Sequence, residues 1–369
     1  LQITSIEIAN LNVALKHPIS TPLGALDAAR NVVVKIITDS GIFGWGEASP
    51  FAPITGDSQE SNHIAAQQLA RLLLGRDPLA IEVRMAEINA FTTGEPSVRS
   101  AFDMALYDIA AKAAGLPLYR FLGGERREIR TDLTIGIQSR VEDTLALADK
   151  TLAAGFNAIK LKVGRPGLVD VDHVAAVREL AGPDVAIKID SNQGWDFPTA
   201  VANLRAMQDL GVEYSEQPLA AWDIGGLARL RDRVNLPICA DESLFTHCDA
   251  LKLLVAGAAD YLNIKLGKAG GIHMGLRINA IAEAAGASCM IGCFAESRLG
   301  MSAAAHLAMA RPNIRFLDLD TAYQFAVDPV GGGVRYDDTI GGLMHLPDTP
   351  GHGAEIDERH LQRLCRIAV

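Results

Sequence analysis

The sequence predicts an α/β fold: a modified TIM barrel of the (β/α)7β type, with an α+β capping domain at its N-terminus that the C-terminal tail completes. Three observations predict it. Apolar, strand-like runs end in a charged residue at a steady interval, at Lys162, Asp190, Glu216, Asp241 and Lys265. The steps are roughly 24–28 residues, the length of one strand–helix unit. The chain opens instead on strands followed by helices, which a plain eight-fold barrel does not do. Its 369 residues are long for one domain and fit a barrel plus a second one.

Residues 1–125 read as the capping domain. LQITSIEIANLNVAL and NVVVKIITDSGIFGWGEA run apolar or alternate, as strands do, with a turn at Asp39-Ser40-Gly41. Between them KHPISTPLGALDAA has two prolines, a glycine and no periodicity, and it reads as a mobile loop. A second loop, ASPFAPITGDS, follows Glu47. Helices are expected around 58–74, 78–91 and 96–115. The last has a helix-period apolar face in Ala101, Met104, Ala105, Ile109 and Ala113. Gly115-Leu116-Pro117 stops it, and Leu122-Gly123-Gly124 ends the domain.

Residues 126–325 read as the barrel. Strand 1 is IRTDLTIGI, and a helix from Val141 to Ala154 follows, with Gly155 placed to cap it. Strands 2 to 8 are expected at 158–163, 185–190, 212–216, 237–241, 260–265, 287–292 and 315–320, with alanine-rich helices between most of them. The tail, 326–369, is expected to return to the first domain.

Composition narrows the functional class. A hydrophobic content of 49% can fill a sizeable core. A net charge of −10 without a basic patch argues against a nucleic-acid surface. No apolar run reaches membrane-spanning length, and no signal-like pattern opens the sequence. The five cysteines, Cys239, Cys248, Cys289, Cys293 and Cys365, are an odd number without C-x-x-C spacing, so free thiols in a reducing cytoplasm are expected. The expected partner is a small molecule, and the expected state is a homo-oligomer.

The chemistry follows from what meets at the carboxyl ends of the strands, which share one mouth in such a barrel. Lys160-Leu161-Lys162 puts two ammonium groups on one face of strand 2. Their repulsion favours the neutral form of one, and a neutral lysine is a base. Asp190, Glu216 and Asp241 end the next three strands. Singly, each could pair with a lysine or cap a helix. Three converging carboxylates without a counter-ion would repel, and an oxygen-only ligand set suits one Mg²⁺. Lys162 and Lys265 flank this group from opposite sides of the barrel. A substrate carboxylate on the cation would have its α-carbon between them. One lysine could take the α-proton from one face while the other returns a proton to the opposite face.

These motifs (Lys160-Leu161-Lys162, Asp190, Glu216-Gln217-Pro218, Asp241-Glu242-Ser243, and Lys265 with Gly270-Gly271) resemble the enolase superfamily in its muconate-lactonising branch. Enzymes of that superfamily use a Lys or His base with Mg²⁺. The resemblance covers nearly the whole chain. It implies Mg²⁺ on Asp190, Glu216 and Asp241, acid–base roles for Lys162 and Lys265, assistance from Lys160, and two N-terminal loops that close over the substrate.

The branch includes muconate cycloisomerases, o-succinylbenzoate synthases, N-succinylamino acid racemases and dipeptide epimerases. Asp318-Leu319-Asp320 on strand 8 resembles the Asp-x-Asp with which dipeptide epimerases hold the substrate's α-ammonium group. Carboxylates suit a free amine and would repel a succinylated one. Ala-Glu epimerases carry an arginine in the first loop. Residues 17–29 hold no Arg or Lys, and Gly24 stands about where that arginine would be. Ile19 and its apolar neighbours point instead to an apolar or small side chain, although Asp57 and Glu60 lie near the second loop. Thr134 at the end of strand 1 and Cys293, Phe294 and Glu296 after strand 7 complete the expected substrate pocket. Glu296 and Arg298 could bind the far end of the substrate or pair with each other. Thr134-Ile135-Gly136-Ile137 stands where a metal-dependent hydrolase would carry His-x-His, and a non-catalytic barrel would have lost a lysine or ligand that is present here. His306, in an apolar helix, reads as a core histidine.

Overall fold

The computed structural model describes residues 1–369. The N-terminal sheet comprises β1 (Ile3–Thr21), β2 (Gly24–Thr38) and β3 (Phe43–Ala48), and α1 (Ala52–Thr55), α2 (Gln59–Leu73), α3 (Ile81–Phe91) and α4 (Pro96–Ala113) follow. Strand alternation gives this sheet two apolar faces. Ile6, Ile8, Val32, Val34 and Ile36 pack on the helices of the same domain. Leu11, Val13, Val33 and Trp45 face the other way and pack with Ala295, Leu299 and Phe325. Gly46 in β3 lets α4 lie against the sheet, since a Cβ there would collide with the Ala101 carbonyl.

The segment 17–29 is ordered as a hairpin, not a loop. β1 and β2 run on until Thr21 pairs with Gly24. Pro18, which cannot donate to a ladder, falls where the register shifts between Ala14 and Ile19. Gly24 takes φ +128° at the tip, a backbone conformation that suits glycine. The hairpin lies on the barrel: Ile137 N donates to the Ser20 carbonyl at 3.1 Å and Ala326 N to that of Ala14 at 2.9 Å.

After α5 (Leu118–Phe121) the expected first strand is split. β4 (Ile129–Arg130) leaves for another sheet, and β5 (Leu133–Ile135) alone joins the barrel. Seven strands follow: β6 (Ala158–Lys162), β7 (Ala186–Asp190), β8 (Val212–Glu216), β9 (Ile238–Ala240), β10 (Tyr261–Lys265), β11 (Ser288–Gly292) and β12 (Ile314–Leu317). All eight are parallel neighbours in chain order. Helices α6 (Val141–Ala153), α7 (Val169–Ala181), α8 (Phe197–Met207), α9 (Ile224–Arg231), α10 (His247–Val255), α11 (Leu266–Ala269), α12 (Ile272–Ala284) and α13 (Arg298–Ala310) connect them. The eighth strand is shorter than expected and ends before Asp318. At the junction of first and last strands one backbone bond forms, Asp132 N to Leu317 O at 3.4 Å. Side chains supply the rest: Thr131 Oγ1 accepts from Leu319 N at 2.7 Å and Asp320 Oδ2 from Thr134 N at 2.6 Å.

In the tail, β13 (Val330–Gly332) pairs with β16 (Ala354–Ile356), and β14 (Arg335–Tyr336) and β15 (Leu343–His345) form a sheet with β4. β17 (Leu361–Ala368) pairs antiparallel with β1.

Two buried carboxylates of the N-terminal domain clamp barrel helices. Asp103 on α4 accepts from His273 N at 3.0 Å, in the first turn of α12. Glu47 on β3 accepts from Ser297 N at 3.0 Å and Gly300 N at 2.9 Å, at the start of α13. Each places negative charge on a helix N-terminus. These helices follow β10 and β11, so the clamps also fix the segments that carry Lys265 and Phe294.

Candidate active site

Alternation on β6 turns Ile159 and Leu161 into the core around the barrel and Lys160 and Lys162 into its interior. In register, Lys162 lies beside Asp190, and Asp190 beside Glu216. Asp241 follows β9 directly. One mouth therefore gathers residues that are far apart in sequence. Asp190, Glu216 and Asp241 are wholly buried.

The lysines answer these charges. Lys162 Nζ is 2.6 Å from Asp190 Oδ2, and Lys265 Nζ is 2.7 Å from Asp241 Oδ2. Lys160 Nζ lies 2.6 Å from Asp318, 2.8 Å from Glu216 and 3.1 Å from Asp190. At Lys160 these contacts correct the expectation of a neutral form. Burial pulls the Lys160 ammonium down, but three carboxylates outweigh it and hold the pKa well above the usual lysine value. Burial and the carboxylates of Asp241 and Glu216 oppose each other at Lys265 in the same way, with a net rise.

The carboxylates are driven apart. Burial raises Asp241, yet the ammonium groups of Lys265 and Lys268 dominate and hold it far below its usual value. Burial and the charge of Asp190 push Glu216 up to about 7. Glu242, the next residue after Asp241, is pushed up to about 8 by burial and by Asp241. Glu216 Oε2, Asp241 Oδ1 and Glu242 Oε2 have no hydrogen-bond partner although they are buried. Lys160 and Lys268 stand 2.8 Å from the first two, but out of line for a hydrogen bond. Orphaned carboxylate oxygens in a buried set of hard donors fit a divalent cation such as Mg²⁺.

Two amides hold this group together: Asn192, outside the sequence motifs, and Gln217, within Glu216-Gln217-Pro218. Asn192, at φ +39°, accepts from Lys162 Nζ at 2.9 Å and donates to Glu242 Oε1 at 3.0 Å. Gln217, at φ +35°, accepts from Asp241 N at 2.9 Å and Ser243 N at 3.1 Å through Oε1. Its Nε2 donates to Leu219 O at 2.9 Å. Non-glycine residues held at positive φ cluster at functional sites. Lys268 was also missed. It lies one helical turn after Lys265 and reaches Asp241 Oδ1 at 2.8 Å.

A cavity of about 100 Å³ opens onto this group. On the barrel side it is lined by Lys162, Asn192, Lys265 and Phe294, and by Thr134, Cys293, Asp318, Asp320 and Thr321. On the cap side it is lined by Ile19, Thr21, Gly24, Leu26, Phe51 and Ile54. Asp318 and Asp320 reach it from the segment after β12 rather than from strand alternation. Lys160 and Lys162 hold Asp318 at about 2 against burial, whereas burial and Asp318 push Asp320 up to about 6. Cys293 Sγ lies 3.2 Å from Thr321 Oγ1.

Glu296 and Arg298 stand elsewhere. Glu296 is buried behind Phe294, whose backbone N–H it accepts at 2.6 Å, and it does not line the cavity. Arg298 points to the tail, 2.6 Å from Asp328, and donates to Val334 O at 2.8 Å. They do not pair with each other. His306 is a core residue that accepts from Tyr119 N at 3.0 Å.

Residues 3–123 match the model of the mandelate racemase/muconate lactonizing enzyme N-terminal domain, and residues 143–360 that of the enolase C-terminal domain-like family. The chain belongs to the mandelate racemase/muconate lactonizing enzyme family. Within this family it is 40% identical to the L-Ala-D/L-Glu epimerase of Bacillus subtilis, over 96% of each chain. It superposes with a TM-score of 0.96 on a dipeptide epimerase from Cytophaga hutchinsonii complexed with Mg and D-Ala-L-Val (39% identity; 100% of this chain, 99% of that one). A dipeptide epimerase from Enterococcus faecalis complexed with Mg and L-Leu-L-Tyr gives a TM-score of 0.92 (36% identity; 96% of this chain, 99% of that one).

Proposed function

We propose that this mandelate racemase/muconate lactonizing enzyme family member is a Mg²⁺-dependent dipeptide epimerase that inverts the α-carbon of the C-terminal residue. The observation that carries this reading is the shared cavity: Lys162 and Lys265, paired with different carboxylates, line the same space as Asp318 and Asp320.

Asp190, Glu216 and Asp241 would hold the cation. When bound, Mg²⁺ supplies positive charge that offsets the charge growing on the substrate carboxylate as the α-proton leaves. The chain's own residues do the rest. Nζ of one lysine takes the α-proton from one face, and Nζ of the other delivers a proton to the opposite face, so the configuration inverts without net gain or loss of protons. Asn192 orients Lys162 through its Oδ1, and Asp241 orients Lys265. Lys160 is a positioning residue, which balances Asp190, Glu216 and Asp318. Asp318 and Asp320 take the free α-ammonium, while Thr134 and Cys293 line the wall beside them.

The side chain of the C-terminal residue meets Ile19, Leu26, Phe51 and Ile54. Lys162 and Lys265 are the only cations that line the cavity, so the cap side offers no positive charge to a glutamate side chain. A small or apolar residue fits there. The test is a panel of free dipeptides incubated with enzyme and Mg²⁺ in D₂O, read by mass spectrometry and chiral separation. Uptake of one deuterium with inversion, strongest for small or apolar C-terminal residues, is expected. Uptake by N-succinylamino acids and by no dipeptide would contradict the reading.

A further inference from the structure

The strand β12 stops at Leu317, just before the two carboxylates that line the cavity. Asp318 N still reaches the Ile291 carbonyl at 2.9 Å. Beyond that bond, contacts from outside the strand hold Asp318-Leu319-Asp320 in place.

Two rigid peptide units lie between the Cα atoms of Asp318 and Asp320, and each is pinned once. In the first, Leu319 N donates to Thr131 Oγ1 at 2.7 Å. In the second, the Leu319 carbonyl accepts from the Tyr336 hydroxyl at 2.6 Å. The Leu319 side chain between them is wholly buried. Neither unit can turn without leaving a backbone group unpaired.

Both clamps come from one small sheet. Thr131 directly follows β4, and Tyr336 ends β14. β15 pairs with both strands, with Met344 opposite Ile129 on one side and Tyr336 on the other. Thr131 N donates to Gly342 O at 2.9 Å. Gly342, at φ +76°, permits this approach, since a Cβ there would collide with the Thr131 carbonyl. The Thr131 hydroxyl gives its own proton to Asp132 O at 3.2 Å, which leaves its oxygen to accept from Leu319 N. Behind Tyr336 stands Tyr323, with ring centroids 4.2 Å apart, and Tyr323 N donates to Asp320 O at 2.9 Å. The split of the first barrel strand thus frees Thr131 to grip the segment after the last one.

We propose that Thr131 and Tyr336 are positioning residues for the substrate's α-ammonium group: they fix the spacing of Asp318 and Asp320, so the C-terminal tail takes part in recognising a free amine. This rests on the dipeptide reading above. Neither side chain lines the cavity, and each acts through the Leu319 backbone. A purely structural role would weaken the fold and leave the preference for an amine alone.

The experiment compares wild type, Tyr336→Phe, Thr131→Val and Thr131→Ser, with folding checked by thermal unfolding. The ligands are the preferred dipeptide and its desamino counterpart, the same molecule with hydrogen in place of the ammonium. The readouts are kcat and KM for the first and the inhibition constant for the second. In Tyr336→Phe and Thr131→Val, KM should rise by about tenfold, the scale of one charge-assisted hydrogen bond, with a smaller change in kcat. The inhibition constant of the desamino compound should stay within about twofold, and Thr131→Ser, which keeps the acceptor, should match wild type. A KM and an inhibition constant that rise together, or an unchanged KM in either folded clamp variant, would overturn the proposal. Wild type that acts on a dipeptide but binds the desamino compound equally well would also overturn it and leave the dipeptide reading standing. Wild type that acts on no free dipeptide would remove that reading and the proposal with it.

Discussion

Asp320 does two things at once. Its Oδ2 accepts from Thr134 N where the barrel closes, and its carboxyl lines the cavity beside Asp318. Asp318 is already committed to Lys160 at 2.6 Å, so Asp320 is the less encumbered partner for a substrate ammonium. Asp320→Asn keeps the shape and removes the charge. We expect KM for the dipeptide to rise by about tenfold or more, the value of a charge-assisted hydrogen bond, with a smaller change in kcat. Steady-state kinetics on the preferred dipeptide reads this. An equal fall in kcat with unchanged KM would place Asp320 in the chemical step instead. At this scale, the metal-type acids and the lysines were legible because charges at the ends of apolar runs stand out. Asn192 was not, and Gln217 was legible only as part of the Glu216-Gln217-Pro218 motif, because the role of an amide does not show until its φ and its partners are known.

Among the elements, the turn after β8 shows how a strand end is made into a site. Gln217 accepts two backbone N–H groups and thereby sets the start of the Asp241-Glu242-Ser243 segment. Gln217→Ala would leave Asp241 N and Ser243 N without that partner and free Asp241 to shift. The half-saturating Mg²⁺ concentration should rise about tenfold, as seen when the residues behind metal ligands are lost, and a Mg²⁺ titration of the thermal midpoint measures it. An unchanged titration would mean that the strand end holds Asp241 without help. The first hairpin carries the opposite lesson. Pro18, Pro22 and Gly24 mark a loop by local rules, but the register shift at Pro18 lets pairing resume at Ile19. Tertiary support, from Ser20 on Ile137 and Ala14 on Ala326, then orders it. None of those contacts has a signature in the hairpin's own sequence.

For the whole molecule, the cap and barrel are held in one relation by buried polar clamps as well as by the apolar sheet face. Glu47 accepts from Asn31, Ser297 and Gly300 across the two halves. Burial raises its carboxyl above the usual range despite those donors. Glu47→Ala orphans several buried donors, and we expect a loss of about 2–4 kcal/mol in urea unfolding. The barrel's period and the two-layer cap could be read from sequence because they repeat or alternate. Glu47 and Asp103 could not, because their partners in the barrel lie more than 150 residues away and nothing local distinguishes a helix clamp from a surface acid.

The central claim is that two lysines work on opposite faces of one α-carbon. Lys162→Ala and Lys265→Ala, each incubated with the L,L- and L,D-forms of the preferred dipeptide in D₂O with Mg²⁺, test it most directly by ¹H NMR. The account predicts that both variants lose epimerisation by at least about 10²-fold, the worth of a general acid or base. It also predicts that each keeps α-proton exchange on one diastereomer, and that the diastereomer is opposite for the two variants. Full epimerisation in either variant, or exchange on the same diastereomer in both, would contradict it.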